Sequence, residues 1–408
     1  MKTKIDKIVF GGKGLSKFDD KVCFVPYTLP DEVVEIKVVE EKKNICEGFP
    51  VEILHKNPNR VTPECKYYME CGGCDFQHAT YSYQLELKKQ VLEETFQRIG
   101  KLSKTVDKVI PSKSSFYYRN RVQLKVKNGN LGFYKFKSNE LVSIDECKIT
   151  SQEINSLIPI LKNIVSQYPF ITEIHVFYPE GNKPTLKIFL DRYEEPDLSS
   201  IDHIFNGIGL YWQNKRKKIL GKNFTFQKVK NFNYRVSLDS FFQVNKYQLE
   251  NIVEEVLNEI DLNVSVIGDI FCGVGLFTIP LSKKAKKVFG VESNKSSVKD
   301  ALYNAKINNT PHIKFYEKAA EKSLDVIFGY NPEILIFDPP RTGIPKNILR
   351  ELGKIKSLKK IVYVSCNPST AARDINIISQ NFKLEKLKLI DMFPQTHHIE
   401  SISVLTRI

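Results

Sequence analysis

Apolar and polar positions divide the chain into three stretches of different period. Residues 5–54 run in short alternating segments, KIVF, KVCFVPYTL, VVEIKVV and FPVEIL, broken by Gly11, Gly12, Gly14, Asp19-Asp20, Pro30 and Gly48. Period-two runs punctuated in this way predict a small all-β unit. A helical period follows from Tyr81 to Arg98, with Leu85, Leu87, Val91, Leu92 and Phe96 as its apolar positions and Gly100 as its stop. Between 105 and 235 the segments RVQLKV, LGFYKF, EIHVFYP and TLKIFLD, with turns at Asn128-Gly129 and Glu180-Gly181, predict an antiparallel sheet. From 245 onward the period changes again. A helix over 246–260 precedes the strands SVIGDIF, KKVFGVE, HIKFYE, EILIFDPP and KIVYVS, with helices over 295–308 and 369–380 among them. Alternating strands and helices predict a parallel sheet covered on both faces, so the C-terminal part is α/β.

At 408 residues the chain is long enough for two or three domains. Its net charge of +14 favours a polyanionic partner, and residues 101–240 hold most of the surplus, with 23 basic against 13 acidic side chains. No apolar run approaches the roughly 20 residues that span a bilayer, and MKTKIDKIVF lacks the apolar stretch of a signal peptide. A cytoplasmic protein with no membrane partner is therefore expected, with its eight cysteines reduced.

The strand SVIGDIF enters the turn Cys272-Gly273-Val274-Gly275-Leu276-Phe277, where glycines let backbone approach a ligand. Glu292, 23 residues after Asp269, stands where an acid would accept hydrogen bonds from ribose hydroxyls. This pattern fits a dinucleotide as well as an adenosyl cofactor. Thr278 in place of the third glycine, and Asp269 just before the turn, favour S-adenosylmethionine, because an acid there repels a pyrophosphate but pairs with an ammonium. The next strand ends in Asp338-Pro339-Pro340 at the same carboxyl edge.

Cys366 ends another strand, just before a predicted helix N-terminus, where a thiol can have its pKa lowered and meet a substrate. A thiolate adding to C6 of uracil makes C5 nucleophilic enough to accept a methyl group, after which a base must remove the C5 proton. Glu400, at the start of the last predicted strand, offers that base; His397 and His398 compete for the role.

DIFCGVG, FDPPRTG, VYVSCNPSTAARD and DMFPQTHHIES, with Phe241-Phe242-Gln243-Val244-Asn245 upstream, resemble the RNA uracil-5-methyltransferase family along the whole chain. The resemblance implies Cys366 as nucleophile, Glu400 as base, and Gln243, Phe271, Glu292 and Asp338 as contacts to S-adenosylmethionine, beside Asp269 and Gly273 of the turn. Leu276 departs from it, since many members have Asn there.

The run Gly11-Gly12-Lys13-Gly14-Leu15 resembles the start of a TRAM domain, a small RNA-binding β-barrel. Cys65, Cys71 and Cys74, with Cys147 far downstream, suit either zinc or an iron–sulfur cluster by spacing. The ribosomal-RNA branch of the family, which carries TRAM and a [4Fe-4S] cluster at matching positions, implies the latter. The expected organisation is a TRAM-like barrel (1–58), a central antiparallel domain bearing the cluster (59–76 and 109–240) and a Rossmann-like methyltransferase domain (77–108 and 241–408). Arg119 and Arg121 on one strand face are the best RNA contacts, whereas Phe133 and Phe136 read equally well as core or as base-stacking residues. A monomer acting on ribosomal RNA is expected. The competing readings are the same chemistry on transfer RNA, a non-catalytic RNA-binding protein, and a nicotinamide-dependent oxidoreductase.

Overall fold

The computed structural model describes residues 1–18 and 21–408; the predicted break at Asp19-Asp20 lies outside the described residues. Alternating residues at the N-terminus form strands Lys2–Lys4 (β1), Lys7–Ile8 (β2), Gly14–Phe18 (β3), Lys21–Val25 (β4), Val33–Lys42 (β5) and Ile45–His55 (β6) in one sheet of order β1-β5-β6-β4-β3-β2. No ladder closes it into the expected barrel among the described residues. Instead the backbone turns at Ile5 and Asp6, whose amides donate to Glu32 and Leu15, and passes from one sheet edge to the other. The core beneath is small: Ile5, Val25, Val34, Ile36 and the half-cystines Cys23 and Cys46. That disulfide corrects the expectation of eight free thiols. The parallel pairing of β4 with β6 sets Cys23 opposite Cys46, with Cα atoms 4.5 Å apart, within bonding reach.

Helix Tyr81–Gly100 (α1) follows the predicted period, but Lys101, not a glycine, takes the left-handed conformation that ends it. Its buried face includes three polar residues, Gln84, Lys88 and Thr95, beside Leu87, Val91, Leu92 and Phe96.

Lys108–Ile110 (β7) then leads to the central sheet of Arg121–Lys127 (β8), Asn130–Tyr134 (β9), Leu141–Ser143 (β10), Ile171–Phe177 (β11), Thr185–Leu190 (β12), Gly207–Trp212 (β13) and Lys215–Gly221 (β14), in order β10-β9-β8-β11-β12-β13-β14. The sheet is not wholly antiparallel as predicted. β12 and β13 run parallel, because residues 191–206 cross back before the chain re-enters the sheet. Between β10 and β11 lie the helices Gln152–Asn155 (α2) and Ile158–Gln167 (α3); α3 covers one face with Ile158, Leu161, Ile164 and Val165.

A hairpin of Phe224–Val229 (β15) and Phe232–Ser237 (β16) leads to Leu249–Leu257 (α4) and the C-terminal sheet. The remaining elements are Val264–Ile270 (β17), Thr278–Leu281 (α5), Ala285–Glu292 (β18), Lys295–Ile307 (α6), Lys314–Glu317 (β19), Leu324–Tyr330 (α7), Ile334–Phe337 (β20), Lys346–Leu352 (α8), Lys360–Ser365 (β21), Pro368–Ile378 (α9), Phe382–Ile390 (β22) and Glu400–Arg407 (β23). The sheet order is β19-β18-β17-β20-β21-β23-β22-β7. Five strands are parallel as predicted, and β23 inserts antiparallel between β21 and β22. One face is covered by α1, α8 and α9, the other by α4 and the β15–β16 hairpin. Among the described residues no helix is long and apolar enough to cross a membrane.

Leu92 and Phe96 of α1 are fully buried in one core with Ala371, Ala372 and Ile375 of α9. Phe96→Ala, which leaves a cavity where the two helices meet, is expected to lower the unfolding free energy by about 3–5 kcal/mol, read as a lower urea midpoint with an unchanged slope.

Candidate active site

Four strand ends and two loops enclose a cavity of about 540 Å³ at the carboxyl edge of the C-terminal sheet. From β17 and its turn come Phe271, Cys272, Gly273, Val274 and Leu276; from β18, Glu292; from β20, Asp338 and Arg341; from β21, Cys366; from the loop before β23, Phe393, His398 and Glu400. Phe241 and Gln243 close it from the segment before α4. The geometry thus gathers Cys366, Glu400, Gln243, Phe271, Gly273, Glu292 and Asp338 around one space. Asp269 stands just behind the wall, fully buried.

The turn after β17 is held in an unusual backbone. Phe271, a bulky residue, sits at φ 70°, and Gly273 and Gly275 at 54° and 90°. The amides of Phe271 and Cys272 both donate to the Val291 carbonyl, 2.9 and 3.0 Å away, which fixes the turn to the neighbouring strand. Glu292 Oε2 accepts from the Gly273 amide at 3.0 Å and Oε1 from the Asn294 amide at 2.7 Å, so the carboxylate is oriented before any ligand arrives. Cys272 itself is buried.

Carboxylates crowd this end of the sheet with few cations. Asp269 Oδ2 accepts from Thr278 Oγ1 at 2.5 Å, while Oδ1 is buried without a partner. Burial raises its pKa to about 7, with the negative charge of Glu292 adding to the effect. Asp338 is raised to about 7 by burial and by Asp269, and the amide of Gln243, 3.4 Å away, only partly relieves it. Glu400 is 3% exposed and raised well above the usual carboxylate range by burial and then by Asp338.

Cys366 is placed as predicted, at the end of β21 and before the N-cap Asn367 of α9. Its thiol is not activated as predicted. Burial pushes it up to about 11, Glu400 and Asp338 add to the shift, and Arg341 opposes them. Burial first, and then the two neighbouring carboxylates, outweigh what the helix N-terminus offers. Arg341 is a residue the sequence pattern did not single out; its Nη2 lies 3.2 Å from His398 Nδ1. Burial, then His397 and Arg341, lowers His398 to about 3, which makes it a weak base. His397 is engaged elsewhere, with Nδ1 2.6 Å from Asp75 Oδ2.

A second cavity, of about 520 Å³, adjoins the first and shares Asp239 and Phe241 with it. Phe241, 62% exposed, stands at the junction. Arg119 and Arg121 both line this second space. Arg121 donates to the Ser240 carbonyl at 3.0 Å, Arg119 stacks on Phe393 at 5.9 Å, and neither is paired with a carboxylate among the described residues. Cys65, Cys71, Cys74 and Cys147, all free thiols, border the same cavity. Among the described residues no three of His, Cys, Asp and Glu are grouped tightly enough to hold a metal ion, so the expected cluster finds its thiols gathered but not closed on an ion.

Residues 211–408 match the tRNA (uracil-5-)-methyltransferase family. The chain is 41% identical to an uncharacterized RNA methyltransferase of Aquifex aeolicus, covering 99% of this chain and 98% of the relative. It is 32% identical to an uncharacterized RNA methyltransferase of Caldanaerobacter subterraneus, covering 97% and 95%. Among solved structures it is similar to the Pyrococcus abyssi tRNA (uracil-54, C5)-methyltransferase in complex with S-adenosyl-L-homocysteine, with a TM-score of 0.81 and 26% identity over 100% of both chains.

The raised carboxylates make stability depend on pH with a defined sign. Asp269 and Asp338 sit near pKa 7 when folded, against about 4 when unfolded, so the folded chain binds more protons between those values. Their stabilisation is fully present below about pH 4 and is lost as pH rises through about 7. The melting temperature of the ligand-free protein is expected to fall by roughly 5 °C between pH 5.5 and 8 on this account. Asp338→Asn should flatten the slope in differential scanning fluorimetry.

Proposed function

The chain belongs to the RNA (uracil-5-)-methyltransferase family, and on that premise we propose that it converts a uridine of 23S ribosomal RNA to 5-methyluridine with Cys366 as nucleophile and Glu400 as base. It is an S-adenosylmethionine-dependent RNA methyltransferase. The observation that carries the residue assignment is the meeting of Cys366, Glu400, Asp338, Gln243 and Glu292 around one cavity.

S-adenosylmethionine supplies an electrophilic methyl group and, with it, positive charge. Glu292 is oriented to take the ribose hydroxyls, Phe271 and Gly273 form the turn against the nucleoside, and Asp338 with Gln243 faces the charged end. Asp269 adds a field from behind the wall. Burial is the main reason Cys366 and Glu400 are raised, and the Asp338 charge adds to both; a cation beside Asp338 would offset that added part and so favour the thiolate.

The Cys366 thiolate then adds to C6 of the uracil, and the displaced electron pair passes to C5 and O4. C5 then takes the methyl group as the methyl–sulfonium bond breaks, that electron pair staying on the sulfur of the departing S-adenosylhomocysteine. Glu400 removes the C5 proton, the C5–C6 double bond re-forms, and the C6–S bond breaks to release the thiolate. His398, with its low pKa, is too weak a base to replace Glu400. The target base must leave its stack to reach Cys366. Phe241, exposed between the cavities, and the unpaired Arg119 and Arg121 offer a stacking face and phosphate contacts along its path.

The four thiols bordering the second cavity are proposed to hold a [4Fe-4S] cluster, which would cross-link residues 65–74 to Cys147 and supply no electrons to the methylation. The divisions 1–58, 59–76 with 109–240, and 77–108 with 241–408 are proposed as an RNA-binding TRAM-like unit, a cluster-bearing unit and the catalytic unit of a cytoplasmic monomer. A second reading, transfer RNA as substrate, is favoured by the full-length similarity to the Pyrococcus abyssi enzyme.

Labelled methyl transfer to separate 23S ribosomal and transfer RNA transcripts tests the substrate. Label at a uridine C5 of ribosomal RNA is expected, with at least a thousandfold loss in Cys366→Ala, on the order of that for other covalent nucleophiles; label in transfer RNA alone would establish the second reading. Iron analysis of protein purified without oxygen is expected to give about four irons per chain, falling sharply in Cys71→Ser; zinc instead of iron would reject the cluster.

A further inference from the structure

The base has no side-chain hydrogen bond among the described residues, and its position is set by the backbone around it. Glu400 pairs with Ile390 across β22 and β23, and residues 391–399 form the loop between them. That loop is held from outside its own sheet by several elements, among them polar residues of α1. Lys88 Nζ, 1% exposed, donates to Asp391 Oδ1 at 2.7 Å and to the Phe393 carbonyl at 2.9 Å. Tyr81 donates its hydroxyl to Asp391 Oδ2 at 2.9 Å. Gln84, fully buried, makes a two-way amide pair with Gln395: its Nε2 donates to Gln395 Oε1 at 2.9 Å, and its Oε1 accepts from the Gln395 amide at 3.0 Å. Gln395 is at φ 67°, a left-handed conformation that costs a non-glycine residue about 1 kcal/mol or more and persists only where its surroundings impose it.

We infer that Gln84 is a positioning residue for proton abstraction: its amide pair with Gln395 holds residues 391–399 in the conformation that sets Glu400 against C5 of a uracil bound to Cys366. Helix α1 can bury polar side chains at 84 and 88 without loss because the loop satisfies them. Loop contacts of this kind act on the step that needs Glu400 and not on the earlier addition of Cys366, which lies on a different strand. This inference rests on Glu400 being the base.

The two dependences separate in the amount of covalent protein–RNA adduct that survives denaturing electrophoresis. Glu400→Gln, Gln84→Leu and the unaltered protein are compared at saturating RNA and S-adenosylmethionine. The expected result for Gln84→Leu is a kcat lower by about tenfold or more, KM for both substrates within about twofold, and a raised level of adduct carrying the labelled methyl. Gln84→Glu, which keeps the volume and the acceptor for the Gln395 amide, should recover part of the rate. If Gln84→Leu does not fold, Gln395→Leu removes the side-chain half of the pair from the loop side and leaves the backbone amide bond to Gln84 in place. Adduct accumulation in Glu400→Gln but not in the Gln84 and Gln395 variants would overturn the inference alone. No accumulation in Glu400→Gln would remove Glu400 as the base, and the inference with it.

Discussion

Three carboxyl groups, Asp269, Asp338 and Glu400, are packed into one end of the C-terminal sheet, and among the described residues none of them is paired with a cation. Each is pushed above its ordinary range, chiefly by burial and secondarily by neighbouring carboxylates. A fold keeps such an arrangement only if something else gains from it, since burying an unpaired charge is costly. A positively charged cofactor is that gain. On the proposed roles, a bound cation would offset part of that cost and would oppose the two carboxylates that add to the shift of Cys366.

The topology brings the two reacting groups together by register. β23 runs antiparallel beside β21, and Ser401 pairs with Ser365. The residues just outside that pair are Cys366 at the end of one strand and Glu400 at the start of the other. A single antiparallel insertion in an otherwise parallel run thus makes neighbours of groups far apart in sequence. With all strands parallel, the start of the last strand would lie at the opposite edge of the sheet.

This accounts for what could be read from the sequence and what could not. Gly273, Glu292, Asp338 and Cys366 sit at strand ends of a regular α/β pattern, and period alone places them at one edge. Glu400 was found by its motif, but its approach to Cys366 depends on strand order, which periodicity does not carry. The high pKa of Cys366 was not legible, because a helix N-terminus is visible in sequence, whereas the burial of the thiol and the two carboxylates that converge on it are not. The Cys23–Cys46 pairing, the parallel contact of β12 with β13 and the open N-terminal sheet likewise depend on long-range register. Gln84 and Lys88 are polar side chains within a helical period, and their burial follows from partners, chiefly in the loop, that the period does not reveal.

That loop is also held by segments distant from it in the sequence. Besides α1, it accepts the amides of Asp75 and Phe76 at the Gln395 carbonyl and the hydroxyl of Tyr118 at the Pro394 carbonyl. Asp75 directly follows Cys74 of the cysteine-bearing segment, and Tyr118 directly precedes Arg119 at the second cavity. Each element facing the RNA path is therefore one residue away from a hydrogen bond to the segment that carries Glu400. Arg119 itself stacks on Phe393 of the same segment. The cysteine-bearing segment, the border of the second cavity and the residues just before Glu400 are thus tied to one another by direct hydrogen bonds and one cation–ring contact.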